Sequence, residues 1–228
     1  MAKFNQEEFN SFILENGVIG FFKEPIKLKS GRMSNWYVNW RTPTGDVFLL
    51  DKLTDFVLAF AEDNNLAPDC FYGVPEGATK LGLITQYKYA RNSPNYSKGS
   101  HVLPMGRAKP KEHGAPKDRF FVGQPEGRVI VLEDVTTTGG SLLCTISQLR
   151  EAGIEVAVAI SLTNRMEMRD DNKSVKQALG EKGVRYLAMS SALDLLPASY
   201  AKLNPGEEVA SGIEAEFGKY GVEALKLR

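Results

Sequence analysis

Apolar residues recur along this chain with two periods, and the points where the period changes mark its elements. Between Phe4 and Asn16, Phe9, Phe12 and Ile13 return at helical spacing and Gly17 follows, which predicts an amphipathic helix with a glycine stop. Ile26-Lys27-Leu28 and Trp36-Tyr37-Val38 read as short strands around the polar turn Lys29-Ser30-Gly31-Arg32. Phe48 to Glu62 places Leu49, Leu53, Phe56, Val57 and Phe60 on one side and predicts a second helix. Cys70 to Val74 predicts a short buried strand, and Thr79 to Lys88 a helix.

From Asn92 to Gly127 the chain turns polar and rich in Pro, Gly and Lys. Only His101-Val102-Leu103 and Phe120-Phe121-Val122 read as strands there, and Gly106 to Asp118 as a long exposed loop. A loop of that length inside a compact domain is usually functional or disordered. Strand Arg128–Glu133, helix Gly140–Ala152, strand Val156–Leu162, a helix around Ser174–Glu181 and strand Arg185–Met189 complete the pattern. This alternation predicts an α/β fold, a central parallel sheet flanked by helices, in a single domain over 1–228. In such sheets ligands bind at the carboxyl ends of strands.

Composition narrows the function. Lys+Arg and Asp+Glu both number 28, so the zero net charge supports neither a nucleic-acid nor a membrane partner, and local basic clusters are read as sites. No stretch approaches the apolar length of a membrane span, and Met1-Ala2-Lys3-Phe4-Asn5 lacks the layout of a signal peptide. Cys70 and Cys144 sit in apolar segments without nearby metal-ligand partners, which reads as buried free thiols. Together these features predict a soluble, cytoplasmic protein.

The most informative stretch is Val129 to Ser141. An apolar run ends in Glu133-Asp134, and Val135-Thr136-Thr137-Thr138-Gly139-Gly140-Ser141 leads into an amphipathic segment. The bland reading is a strand and helix joined by a polar turn. Two adjacent carboxylates repel each other, however, and are wasteful unless something binds them. No Gly-Lys-Ser/Thr follows the glycines, and the Gly-x-Gly-x-x-Gly spacing is absent, so neither a Walker loop nor a dinucleotide fingerprint is present. A sugar phosphate fits: carboxylates accept from ribose hydroxyls, while loop amides and a helix N-terminus hold the phosphate.

This stretch resembles the phosphoribosyl-pyrophosphate (PRPP) motif of type I phosphoribosyltransferases, with Glu133 in place of the more usual first Asp. The basic loop Arg107-Ala108-Lys109-Pro110-Lys111-Glu112-His113-Gly114 resembles the catalytic loop of the orotate phosphoribosyltransferase family, Arg-Lys-x-x-Lys-x-His-Gly. Ala108 stands where that family has a second lysine, and Lys109 follows it. Read from the residues alone, the loop is a solvated surface or a lid whose cations would stabilise a departing diphosphate. Lys29-Ser30-Gly31-Arg32-Met33-Ser34-Asn35-Trp36-Tyr37 resembles the same family's Lys-Ser-Gly-x-x-Ser-x-x-Tyr signature; alone, it reads as a hairpin turn flanked by core aromatics. Glu76-Gly77-Ala78-Thr79-Lys80 occupies the place of the family's diphosphate loop, and a structural strand-to-helix turn stays open for Glu76 and Lys80. Asn164-Arg165-Met166-Glu167 resembles Asp-Arg-x-Glu, with an ordinary surface arginine as the alternative for Arg165.

The resemblance covers about Phe4 to Leu196. It implies the type I phosphoribosyltransferase fold with a small N-terminal hood over about 1–40, and leaves 197–228 as a helical C-terminal extension. It implies transfer of the ribose 5-phosphate of PRPP to N1 of orotate in UMP biosynthesis. Lys29, Arg107, Lys109, Lys111, His113 and residues Glu133, Asp134, Val135, Thr136, Thr137, Thr138, Gly139, Gly140 and Ser141 would bind PRPP. Glu76, Gly77, Ala78 and Lys80 would meet the diphosphate, and Lys29, Tyr37, Val38, Thr137 and Arg165 the orotate. Lys111, His113 and Asp134 would be catalytic. Mg²⁺ would be held mainly by substrate oxygens, with no protein metal cage, and a homodimer would share its active sites. The alternatives are a phosphoribosyltransferase acting on a purine or uracil, and a non-catalytic PRPP-sensing regulator. The basic loop and Arg165 count against the first; neutrality and the lack of a helix-turn-helix segment count against the second.

Overall fold

The computed structural model describes residues 3–227; Met1, Ala2 and Arg228, at the ends of the expected hood and extension, lie outside the described residues. Nine helices and eight strands follow one another among those residues. The chain opens with α1 (Gln6–Glu15), whose N-cap Asn5 accepts from the amides of Glu7 and Glu8. Strands β1 (Ile19–Lys27) and β2 (Met33–Val38) pair antiparallel, from Ile19 opposite Val38 to Lys27 opposite Met33. The hairpin is thus longer than its apolar triplets suggest: pairing breaks off after Phe21 opposite Trp36 and resumes at Ile26 opposite Ser34, with the exposed residues 22–25 bulged out between them.

A short helix α2 (Arg41–Thr44) precedes α3 (Val47–Asp63), which Asp46 caps by accepting from the Leu49 amide at 2.9 Å. Strand β3 (Cys70–Gly73), helix α4 (Thr79–Arg91), strand β6 (Arg128–Thr136), helix α6 (Gly140–Glu151), strand β7 (Glu155–Asn164), helix α7 (Val175–Gly180) and strand β8 (Arg185–Ala188) form the sandwich the alternation predicts. The sheet order is β3-β6-β7-β8, and every neighbouring pair is parallel. Helices α8 (Ala192–Leu203) and α9 (Glu207–Tyr220) close the chain.

Strand β6 shows why the sheet is buried on both sides. Ile130 and Leu132 join one core, with Leu53, Val57, Ile160 and Ile213; Val129 and Val131 join the other, with Leu142, Ile146 and Leu149 of α6. An unbroken apolar run is what such a strand needs. The register with β7 shifts after Val129: Val129 pairs with Val156, but Ile130 pairs with Val158. One extra residue, Ala157, therefore sits in β7.

The polar middle differs from expectation in two places. His101-Val102-Leu103 forms no strand; Gln86 Nε2 donates instead to the Val102 carbonyl at 2.8 Å. The strand lies two residues on, where β4 (Met105–Gly106) pairs antiparallel with β5 (Phe121–Val122). The expected loop Gly106–Asp118 is shortened by α5 (Pro116–Phe120), which also takes Phe120 from the expected strand.

Leu132 is fully buried at the centre of β6. Leu132→Ala should cost about 2–5 kcal/mol of stability, read as a lowered denaturation midpoint with an unchanged slope. A loss under about 0.5 kcal/mol, the range of surface substitutions, would contradict this core position.

Candidate active site

The carboxyl ends of β3, β6 and β7 open into a cavity of about 630 Å³. The strand order brings together three loops distant in sequence: Pro75-Glu76-Gly77 after β3, Glu133 to Ser141 at the end of β6, and Arg165 after β7. The β1–β2 hairpin and the start of α2 add Leu28, Lys29, Ser30, Tyr37, Val38 and Arg41 to the lining.

Strand β6 runs three residues past Glu133, because Val135 and Thr136 continue to pair with Thr163 and Asn164 of β7. The end of the strand then separates the threonines. Thr136 turns inward, away from the cavity: it is buried, and its hydroxyl bonds to Tyr186 and lies 3.5 Å from Ser161 Oγ. Burial pushes the Tyr186 hydroxyl up to about 12, so it stays a neutral phenol able to donate. Thr137 and Thr138 line the cavity.

Helix α6 begins at Gly140, after Gly139 in the left-handed region at φ 69°. The first amide to bond within the helix is that of Leu143, to the Gly139 carbonyl at 2.9 Å. The amides of Gly140, Ser141 and Leu142 are left without intrahelical acceptors, and Gly139 supplies no side-chain cap. That is an anion cradle. Arg169 steadies it by donating to the Thr138 carbonyl; 31 residues on in sequence, this arginine carries no motif that could have flagged it. Lys29 reaches across from the hood to donate to Ser141 Oγ at 3.1 Å.

Glu133 lines the cavity yet is only 6% exposed. Burial holds its carboxyl well above the usual range, the Asp134 charge adds to the effect, and Lys29 opposes it. Asp134 is half-buried, and its Oδ1 accepts from the Val135 amide at 2.8 Å. A Cβ on Gly77 would stand 2.5 Å from Asp134 Oδ2, so only glycine lets the β3 loop pass this carboxylate.

Of the other expected residues, Glu76 and Gly77 line the cavity. Ala78 is buried behind the turn, and Lys80 donates to the Thr44 carbonyl at 3.3 Å; neither reaches the cavity wall. From the basic loop only Ala108 lines it. Arg107, Lys109, Lys111 and His113 lie apart, with Arg107 Nε donating to the Phe121 carbonyl at 3.1 Å.

Arg165 is no surface arginine. Its side chain is 2% exposed and stacks over Trp36 at 3.7 Å from the ring centroid. Nε donates to Glu167 Oε1 at 2.6 Å, and Nη2 donates to Glu216 Oε1 at 2.8 Å and Ser34 Oγ at 3.0 Å. Nη1 lies 3.5 Å from the Trp36 carbonyl. The other Glu167 oxygen takes Arg32 Nη1 at 2.9 Å. Burial raises the Glu216 carboxyl, and Arg165 and Ser34 oppose the shift. Among the described residues no group of three or more His, Cys, Asp or Glu is placed to hold a metal ion.

No family model matches the sequence. The chain is 32% identical over 194 residues to the orotate phosphoribosyltransferase of Methanopyrus kandleri, spanning 84% of this chain and 92% of that protein. Its fold matches the crystal structure of the Francisella tularensis orotate phosphoribosyltransferase at TM-score 0.66 and 21% identity, over 94% of this chain and 99% of that one. It also matches the Mycobacterium tuberculosis orotate phosphoribosyltransferase in complex with PRPP, at TM-score 0.55 and 18% identity, over 83% and 98% of the two chains.

The raised Glu133 carboxyl has a thermodynamic signature. The folded state binds its proton more tightly than the unfolded chain, so its contribution to stability falls as pH climbs from the unfolded value, about 4.3, toward the folded one. Glu133→Gln, neutral throughout, should raise the thermal midpoint near pH 7 and give no gain below about pH 4. Melting curves across that range check it; a gain of equal size at both ends would assign the effect to packing instead.

Proposed function

The chain belongs to the orotate phosphoribosyltransferase family, and from that premise we propose how its cavity divides the work of the reaction. The reaction moves the ribose 5-phosphate of PRPP to N1 of orotate, giving orotidine 5′-phosphate and diphosphate in UMP biosynthesis. The observation that carries the assignment of roles is the single cavity joining the acidic strand end, the anion cradle and the hood wall.

In this reading the 5-phosphate sits on the free amides of Gly140 and Ser141 and the hydroxyls of Thr137, Thr138 and Ser141. Asp134 and Glu133 accept from the ribose hydroxyls; Asp134 also balances positive charge as C1 approaches an oxocarbenium ion. Thr136 serves from behind, by tying the cradle to β8. Orotate lies against Tyr37 and Val38, where an aromatic face suits a flat ring. Arg165 offers its carboxylate one N–H, since four of the five guanidinium N–H groups already point at partners. The C1–O bond to the diphosphate breaks, its electron pair leaving with the diphosphate, as N1 closes on the opposite face with inversion, and the proton that N1 sheds passes to the diphosphate or to water. Positioning and charge stabilisation carry the rate.

Mg²⁺ would be held mainly by substrate oxygens and water, with the cavity-lining Glu76 and Asp134 as hard oxygen donors at its edge. When bound, Mg²⁺ neutralises diphosphate charge. The basic loop supplies the remaining cations: Arg107, Lys109 and Lys111 close on the diphosphate, and His113 donates a hydrogen bond or a proton to it. These side chains lie outside their own chain's cavity, which supports a homodimer in which each loop serves the partner's site. A cytoplasmic setting completes the proposal: both cysteines are free thiols, Cys70 buried as expected and Cys144 exposed on α6 rather than buried.

Purified protein supplied with PRPP and Mg²⁺ should consume orotate and leave uracil and hypoxanthine untouched; consumption of another base alone would overturn the reading. Lys111→Ala should cut turnover by roughly 10²-fold or more with an unchanged melting point. Mixing Lys111→Ala chains with Asp134→Ala chains should restore part of the activity, and no recovery in demonstrated hybrid dimers would confine each loop to its own subunit.

A further inference from the structure

Three cations line the cavity: Lys29, Arg41 and Arg165. They are not equally available to an anion. Arg165 and Arg32 are matched by Glu167 and Glu216 in a buried network, so the guanidinium that faces the cavity carries little uncompensated charge. Lys29 is turned toward Ser141 Oγ, on the phosphate side, and its charge acts on Glu133. Arg41 is different. It is exposed on α2, and among the described residues its guanidinium has neither a hydrogen-bond acceptor nor an ion-pair partner. Only its backbone amide is engaged, with Asn39 Oδ1 at 3.3 Å.

Placement points the same way. Arg41 lies four residues after Tyr37 and three after Val38, and all three line the cavity with the cradle and its acidic strand end. Helix α2 is held to the core: Thr44 Oγ1 donates to the Trp40 carbonyl at 2.9 Å, and Trp40 Nε1 donates to Thr163 Oγ1 at 3.0 Å. The arginine thus stands on an anchored support with its charge unspent. A carboxylate entering beside the aromatic wall needs a net positive partner, and a planar guanidinium can take it through two parallel N–H bonds.

We propose that Arg41 is a specificity-determining residue that supplies the net charge recognising the carboxylate of the pyrimidine substrate, while Arg165 contributes a single, charge-compensated N–H. The inference rests on the orotate reading above and assigns within it a contact that no sequence motif marks. Because Arg41 is exposed and unpartnered, replacing it leaves the fold's ion pairs whole.

The test is steady-state kinetics of Arg41→Gln with Mg²⁺ present, each substrate varied at saturation of the other, and with uracil, which lacks the carboxylate, as a competing ligand. The KM for orotate should rise about tenfold, the loss of one charge-assisted pair. The KM for PRPP and the inhibition constant for uracil should stay within about twofold, inside the spread of near-neutral contacts. Arg41→Lys should recover part of the loss. An unchanged orotate KM overturns the proposal. So does a parallel rise in the PRPP KM, which would assign Arg41 to phosphate, or an equal weakening of uracil, which would assign it to the shape of the wall. If the parent enzyme fails to consume orotate, the underlying functional reading falls; if the parent consumes orotate and Arg41→Gln matches it, only the role of Arg41 falls.

Discussion

A guanidinium cannot shed its charge, so an arginine carried into the interior must be matched there. Arg165 sets this requirement for the whole end of the molecule that holds the cavity. It draws in Glu167 from its own segment, Glu216 from α9 and Ser34 from β2, while Arg32 holds the far oxygen of Glu167. Stripping one partner from a buried pair typically costs about 3–5 kcal/mol. The hood, the sheet and the last helix are therefore bound to each other by charge as well as by apolar contact. The backbone reinforces the same junction: the Met168 amide donates to the Tyr220 carbonyl, and the Val222 amide to that of Met166 at 2.8 Å. Residues after Leu196 are thus built into the wall behind the site.

The sequence reading gives Arg165 to the ligand alone, while the structure engages most of it in architecture. One arginine can fix architecture or present free charge, and each ion pair it makes internally subtracts from what it offers a ligand. The cavity holds a buried guanidinium with four of its five N–H groups engaged and an exposed one with no partner among the described residues. A related division runs along β6. Three consecutive threonines share one chemistry, but Thr136 ties the strand to Tyr186 while Thr137 and Thr138 face the cavity. Thr136 is the last residue of the strand and the other two lie in the loop beyond it, and that place decides what each hydroxyl does.

The sheet, α3, α6 and the acidic strand end were legible because their causes are local. An apolar run, a capping aspartate or a glycine pair is written within a dozen residues. The end of β6 was read three residues early, since Asp134 interrupts the apolar run while pairing with β7 continues beneath it. His101-Val102-Leu103 has strand composition but no neighbouring strand to join, and pairing is not visible in composition. The surroundings of Arg165 lay out of reach for the same reason: its partners stand 51 and 131 residues away, at Glu216 and Ser34. Arg41 escaped notice because a lone arginine before Thr42-Pro43-Thr44 fits any turn, and only the assembled cavity distinguishes it.

The additional residue in β7 acts as a phase setter. Side chains alternate along a strand, so inserting Ala157 ahead of Val158 inverts which face every later residue of β7 presents. Leu162 and Thr163, and the chain entering Arg165, inherit their orientation from that one offset. If the same residues were paired without that bulge, every position after Val156 would swap faces, the chain entering Arg165 with them, and the cavity would be rewritten from a distance.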